Sequence, residues 1–74
     1  MLKKEELSGR IGKQIKKLRT AKNISQAELG RLCDKDRQHI GLIENNKISA
    51  NIYTLYQIAK ALKVDLKELF DFKN

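Results

Sequence analysis

The sequence predicts an all-α fold, a compact bundle of five short helices, on three observations. Apolar residues recur at steps of three or four almost throughout, and no stretch alternates convincingly with a period of two. Proline is absent, and the glycines at 9, 12, 30 and 41 form no glycine-rich linker. Ser25, Asp36, Asn51 and Asp65 each stand just before an apolar-periodic run, where helix N-caps stand. Seventy-four residues make one domain, 1–74, with no room for a second core.

The first helix is expected over 7–21. Leu7, Ile11, Ile15 and Leu18 share one face of it, with Lys13, Lys16, Lys17 and Arg19 elsewhere on its circumference. Gly9 and Gly12 are expected to fray its start. Asn23, in the break that follows, tolerates a left-handed turn. Ser25 with Glu28 three residues on sets a capping box for a second helix, 26–33, with Leu29, Leu32 and Cys33 available to the core. A polar turn ends at Asp36, the N-cap of a third helix, 37–45, buried through Ile40 and Ile43. Asn46 stands where that helix should stop. Asn51 caps a fourth helix, 52–62, whose inward set is Ile52, Leu55, Ile58, Ala59 and Leu62. Asp65 and Glu68 repeat the box for a last helix, 66–70, packed down by Leu66, Leu69 and Phe70. The tail 71–74 follows directly.

Composition narrows the function. Sixteen basic residues against nine acidic ones give a net charge of +7, which favours a polyanionic partner without choosing among DNA, RNA and an anionic membrane. Cys33 is the single cysteine, so no internal disulfide and no thiolate-rich metal site is expected. Pairing between subunits and a free thiol on a packed helix face are both open to it. No stretch is long enough to span a bilayer, and the charged N-terminus lacks a following apolar segment, so a cytoplasmic location is expected. His39, the one histidine, has no second ligand at useful spacing, and no metal is expected. With no Ser/His/Asp set and no glycine-rich phosphate loop, neither an enzyme nor a cofactor is expected.

The informative stretch is 25–47. Two short helices joined by a three-residue turn follow the logic of a helix-turn-helix, in which one helix crosses the phosphate backbone and the next enters the major groove. The second of the pair is too short to be stable alone, so tertiary packing must set its shape. Gly30 suits a steep crossing where backbones approach, although a surface glycine would look the same.

The segments SQAELGRLC at 25–33, DRQHI at 36–40 and IENNK at 43–47 together resemble the Cro and phage-repressor type of helix-turn-helix, the XRE family. The likeness continues through TL at 54–55, IAKAL at 58–62 and VDLKELF at 64–70, and covers about 11–70 without a gap. It implies a lambda-repressor-like DNA-binding domain in which helices two and three are the reader unit. It also implies homodimers on roughly palindromic operators in double-stranded DNA, acting as repressors or activators near promoters. Among subfamilies, the chain is similar to the small restriction–modification controller proteins and to minimal phage-type regulators. Three positions depart from the pattern: Gly30 stands where alanine is commoner, and Asp34 and Asn46 stand where glycine is common.

The resemblance also implies roles for particular residues. Arg37 and Gln38, at the head of the third helix, match positions that read bases; arginine bonds guanine O6 and N7, glutamine adenine N6 and N7. Leu42 meets a thymine methyl or is simply exposed. His39 contacts a base edge or a phosphate, or is a plain surface histidine, and Gly41 admits the DNA backbone or leaves room for a neighbour. Phosphate contacts are expected from Arg19, Gln26, Asn45 and Lys47, and from Lys17 among the first-helix lysines. Arg19 and Glu44 match an ion pair that links helix one to helix three and orients the arginine toward phosphate. The dimer interface is expected at Tyr53, Tyr56, Leu66, Leu69 and Phe72, with Phe72 alternatively folded back on its own core. Charge agrees only partly: residues 1–24 carry eight basic and two acidic groups, net +6, whereas 25–50 balance at four each. The rival function on the same fold is an antitoxin-like protein-interaction module.

Overall fold

A computed structural model describes residues 1–72; Lys73 and Asn74, the end of the expected tail, lie outside the described residues. Five helical segments follow one another: α1 Lys4–Ala21, α2 Gln26–Leu32, α3 Arg37–Glu44, α4 Ile52–Leu62 and a 3-10 helix, Leu66–Phe70. The described residues contain no strand, and the fold is all-α as expected.

Local chemistry sets the starts of the middle helices. Ser25 Oγ accepts from the Glu28 amide at 3.0 Å, Asp36 Oδ1 from the His39 amide at 2.7 Å and Asn51 Oδ1 from the Thr54 amide at 2.8 Å. Each cap contributes roughly 0.5–2 kcal/mol. The box expected at Ser25 is only half formed, because the Glu28 carboxylate turns to Arg31 instead. α1 starts three residues earlier than expected, with Glu5 and Glu6 in its first turn complementing the helix dipole. α2 and α3 each stop one residue earlier, with Cys33 and Asn45 as C-caps.

All four α-helices end the same way. Asn23, Asp34, Asn46 and Lys63 take the left-handed conformation, with φ of 58°, 58°, 58° and 60°. In each case the next amide reaches back to the helix: Ile24 to Arg19 O, Lys35 to Gly30 O, Lys47 to Leu42 O and Val64 to Ala59 O, at 2.8–3.1 Å. This is the Schellman closure, which satisfies carbonyls that a helix end leaves unpaired. Asp34 and Asn46 thus do the work of the glycines they replace. Lys63 does so with no side-chain feature to announce it.

The core is built from Ile11 and Ile15 of α1, Leu29 and Cys33 around α2, Ile40 and Ile43 of α3, Leu55, Ile58, Ala59 and Leu62 of α4, and Leu69. Four residues expected inside are outside: Leu7, Leu32, Ile52 and Phe70 are exposed. Leu7 stands at the rim of the core, in an open apolar groove that it lines with Ile43, Ala50 and Leu55. Ile52 is the first residue of α4 and projects past the core edge, while Thr54 is buried in its place.

Gly12 has the opposite role from the fraying expected of it. α1 runs unbroken through it, and a Cβ there would lie 2.5 Å from Ile43 O and 3.0 Å from Glu44 O. The glycine lets the end of α3 rest directly on the α1 backbone. Gly12→Ala should therefore lower stability by about 1–3 kcal/mol through overpacking, although alanine favours helix by about 1 kcal/mol. A thermal melt checks this, and a midpoint at or above that of the parent would contradict the close approach. Gly30 is similarly constrained, since a Cβ there would meet Lys35 O at 2.6 Å.

Candidate nucleic-acid interface

α3 buries Ile40, Ile43 and Glu44 and turns Arg37, Gln38, Leu42 and Asn45 outward. Positions 37, 38, 41, 42 and 45 fall on one stripe of a 3.6-residue helix. With Gln26 and Asp36 they line a single open groove. The head of this helix carries a bidentate donor at Arg37 and a donor–acceptor amide at Gln38, the groups that hydrogen-bond base edges. His39 is half-buried and does not line the groove. Lys47 is exposed in the turn that follows α3, and Lys17 is exposed on α1 outside the groove.

A buried polar network holds the floor of this groove. Arg19 Nε donates to Glu44 Oε2 at 2.6 Å and Arg19 Nη2 to Glu44 Oε1 at 3.0 Å. Arg19 Nη1 donates to Ile24 O at 2.7 Å, and Gln26 Nε2 donates to Glu44 Oε1 at 3.0 Å. One carboxylate thus ties the end of α1, the start of α2 and the end of α3 together. Arg19 and Glu44 are 7% and 5% exposed. The hydrogen bonds to Glu44 raise the Arg19 pKa, against the opposing effect of burial.

The ion pair stands where the resemblance implied it, with Arg19 almost wholly buried. Three of its five N–H donors are committed inside the protein, and its side chain has almost no free surface. Its service is to hold Glu44, and through Glu44 to hold Gln26. The Gln26 amide consequently lies over the middle of α3, where a Cβ on Gly41 would stand 3.5 Å from its Oε1 and 3.6 Å from its Nε2. The bond between Gln26 and Glu44 was not readable from sequence, because 18 residues separate them and no periodicity links them.

The five residues expected at a dimer interface separate into two groups. Tyr53 and Tyr56 are exposed, with ring centroids 6.3 Å apart, and share a surface groove with Leu32. Leu69 is fully buried in the core, so the expectation for it is corrected: it has no surface to offer a partner. The 3-10 helix is drawn against α1, with Gln14 Nε2 donating to Glu68 O at 2.9 Å. Leu66 packs partly against the core, and so does Phe72, under the Arg10 guanidinium at 5.9 Å from its ring centroid. Phe72 follows the folded-back alternative.

The described residues hold no cluster of three His, Cys, Asp or Glu side chains able to bind a metal. Burial pushes the Cys33 thiol above its ordinary value, only partly offset by Lys35, so it is a neutral packed group. No described helix is long and apolar enough to cross a membrane.

The helix-turn-helix family profile matches residues 15–69, the span from mid-α1 to the 3-10 helix. The chain belongs to the helix-turn-helix family. As a helix-turn-helix protein of the Cro/C1 type it is a DNA-binding transcriptional regulator, with α2 and α3 as the motif. It is 36% identical over 63 residues to control protein C.BamHI of Bacillus amyloliquefaciens, covering 84% of this chain and 78% of that one. Among solved structures it is similar to the restriction-modification controller protein C.AhdI from Aeromonas hydrophila, with a TM-score of 0.86 and 30% identity over 89% of this chain and 96% of that chain. A point mutant of the restriction-modification controller protein C.Esp1396I gives a TM-score of 0.81 and 32% identity, covering 89% and 88%.

Proposed function

We propose that this helix-turn-helix protein is a homodimeric regulator of the controller type. It binds a roughly palindromic operator in double-stranded DNA and controls a restriction–modification system or its own promoter from the cytoplasm. The observation that carries the reading is the groove along α3, where Arg37 and Gln38 lead an exposed stripe and Gln26 is anchored beside them by Glu44. Arg37 reads a guanine and Gln38 an adenine, Leu42 meets a thymine methyl, and Gln26, Asn45 and Lys47 hold phosphates. The likeness to C.BamHI and C.AhdI over most of their lengths supports the controller assignment.

One α3 reaches only a few base pairs, so specificity calls for a second copy with its α3 about 34–36 Å away, one turn of B-DNA. The exposed Tyr53, Tyr56 and Leu32 supply the apolar surface for that contact. Selecting binding sites from a random duplex pool at near-physiological salt, then footprinting the winner, tests the proposal. An inverted repeat with half-sites one helical turn apart is the expected result. Failure to enrich any motif would leave the antitoxin-like interaction module as the better reading.

A further inference from the structure

We infer that Lys13 and Lys16 of α1, together with Asn45 and Asn46 at the end of α3, form a seat for the DNA phosphate backbone beside the reader helix. The inference rests on the DNA-binding reading above. It assigns to two particular lysines a direct contact that the net charge alone does not locate.

The seat is a second groove, between α1 and the C-terminal end of α3. It is lined by Gly9, Lys13, Lys16, Asn45 and Asn46, with Glu44 on its floor; Arg10 also borders it, its guanidinium lying over the Phe72 ring. Asn45 lines this groove and the reader groove alike, so the two are continuous across the end of α3. The close approach at Gly12 creates this arrangement by laying the end of α3 on the α1 backbone, which brings the flanking lysines level with it.

Electrostatics favours an anion at the Lys13 and Lys16 end. Both lysines are exposed, and neither pairs with a carboxylate among the described residues. Glu44 is neutralised by Arg19. The Gly41, Leu42 and Ile43 carbonyls near the end of α3 accept from the Asn45, Lys47 and Asn46 amides, which reduces their repulsion of a phosphate. Glu5 and Glu6 close the opposite end and confine the seat. Lys17 lies about 140° round the helix from Gly12 and lines neither groove. Because residues 25–50 carry no net charge, the reader pair needs a neighbouring source of phosphate affinity, and these lysines supply it.

Counterion release gives a direct readout. Each phosphate neutralised contributes about 0.9 to the slope of log K against log salt on duplex DNA. The double variant Lys13→Ala/Lys16→Ala, measured on the selected operator and on an unrelated duplex, should lose nearly 2 slope units per subunit. It should weaken both duplexes alike and leave the preferred motif unchanged. Lys67→Ala, exposed on the 3-10 helix and lining neither groove, should leave the slope within experimental error, and Lys13→Arg/Lys16→Arg should retain the parent slope. Operator binding with an unaltered slope in the double alanine variant, or a loss of about 0.9 in Lys67→Ala, would overturn the phosphate seat while leaving the regulator reading intact. Absence of operator binding by the parent protein would overturn the reading itself, and the seat with it.

Discussion

Glu44→Ala is expected to cost this protein about 3–5 kcal/mol, the usual consequence of stranding one member of a buried ion pair. For a chain of 74 residues total stability is on the order of 4–11 kcal/mol, so the substitution should remove a large fraction of it. The reason lies with Arg19. Arg19 is 7% exposed, and its guanidinium donates two hydrogen bonds to Glu44 that compensate its buried charge. Unlike a lysine, it cannot escape by losing its proton. Glu44→Gln, which keeps an acceptor for Arg19 within an uncharged group, should lose less.

The pH dependence of this pair follows from the direction of the arginine shift. A raised folded-state value contributes stability that is fully present below the unfolded value and fades only as pH climbs past the folded one, above any working range. The arginine end therefore adds no slope between about pH 6 and 9. Urea unfolding of the parent and both variants at neutral pH measures the effect. A loss below about 1 kcal/mol for Glu44→Ala, the magnitude of an exposed pair, would show that the network is not the buried tie described above. Gln26 loses its anchor in the same variant, so operator affinity among the folded molecules should fall as well.

How far the sequence reaches can be judged from particular residues. The caps at Ser25, Asp36 and Asn51 were legible because a side chain three residues from its amide partner is a purely local matter. The outward placement of Arg37, Gln38 and Leu42 was legible for a similar reason: Ile40 and Ile43 fix the phase of the helix. Periodicity identifies a face but not where the neighbouring element ends, which is why Leu7, Leu32 and Ile52 were expected inside and stand outside. The partnership of Arg19 and Glu44 came from resemblance, whereas its direction did not. Only the packed geometry shows the arginine turned inward to hold Glu44 and Gln26. Gly12 is the clearest case. As a residue type it weakens a helix, yet its contact with Ile43 O is what sets α1 against the reader unit.

On the proposed reading, Arg37→Ala/Gln38→Ala should abolish operator discrimination while leaving the fold intact. Each bidentate base contact supplies roughly 1–3 kcal/mol. The pair together should therefore weaken operator binding by about 30-fold to 10⁴-fold. Neither side chain contributes to the core and neither forms a hydrogen bond within the described residues, so stability should change by no more than about 0.5 kcal/mol. The single variants separate the two roles. Arg37→Ala should relax selection at a guanine and Gln38→Ala at an adenine, each at one position per half-site. This signature is the converse of that expected for Lys13 and Lys16, which changes salt dependence and spares the motif. Repeating the site selection with all three single and double variants resolves the two. An unchanged ratio of operator to random-duplex affinity in the double variant would mean that the α3 stripe does not read bases, whatever the rest of the protein does on DNA.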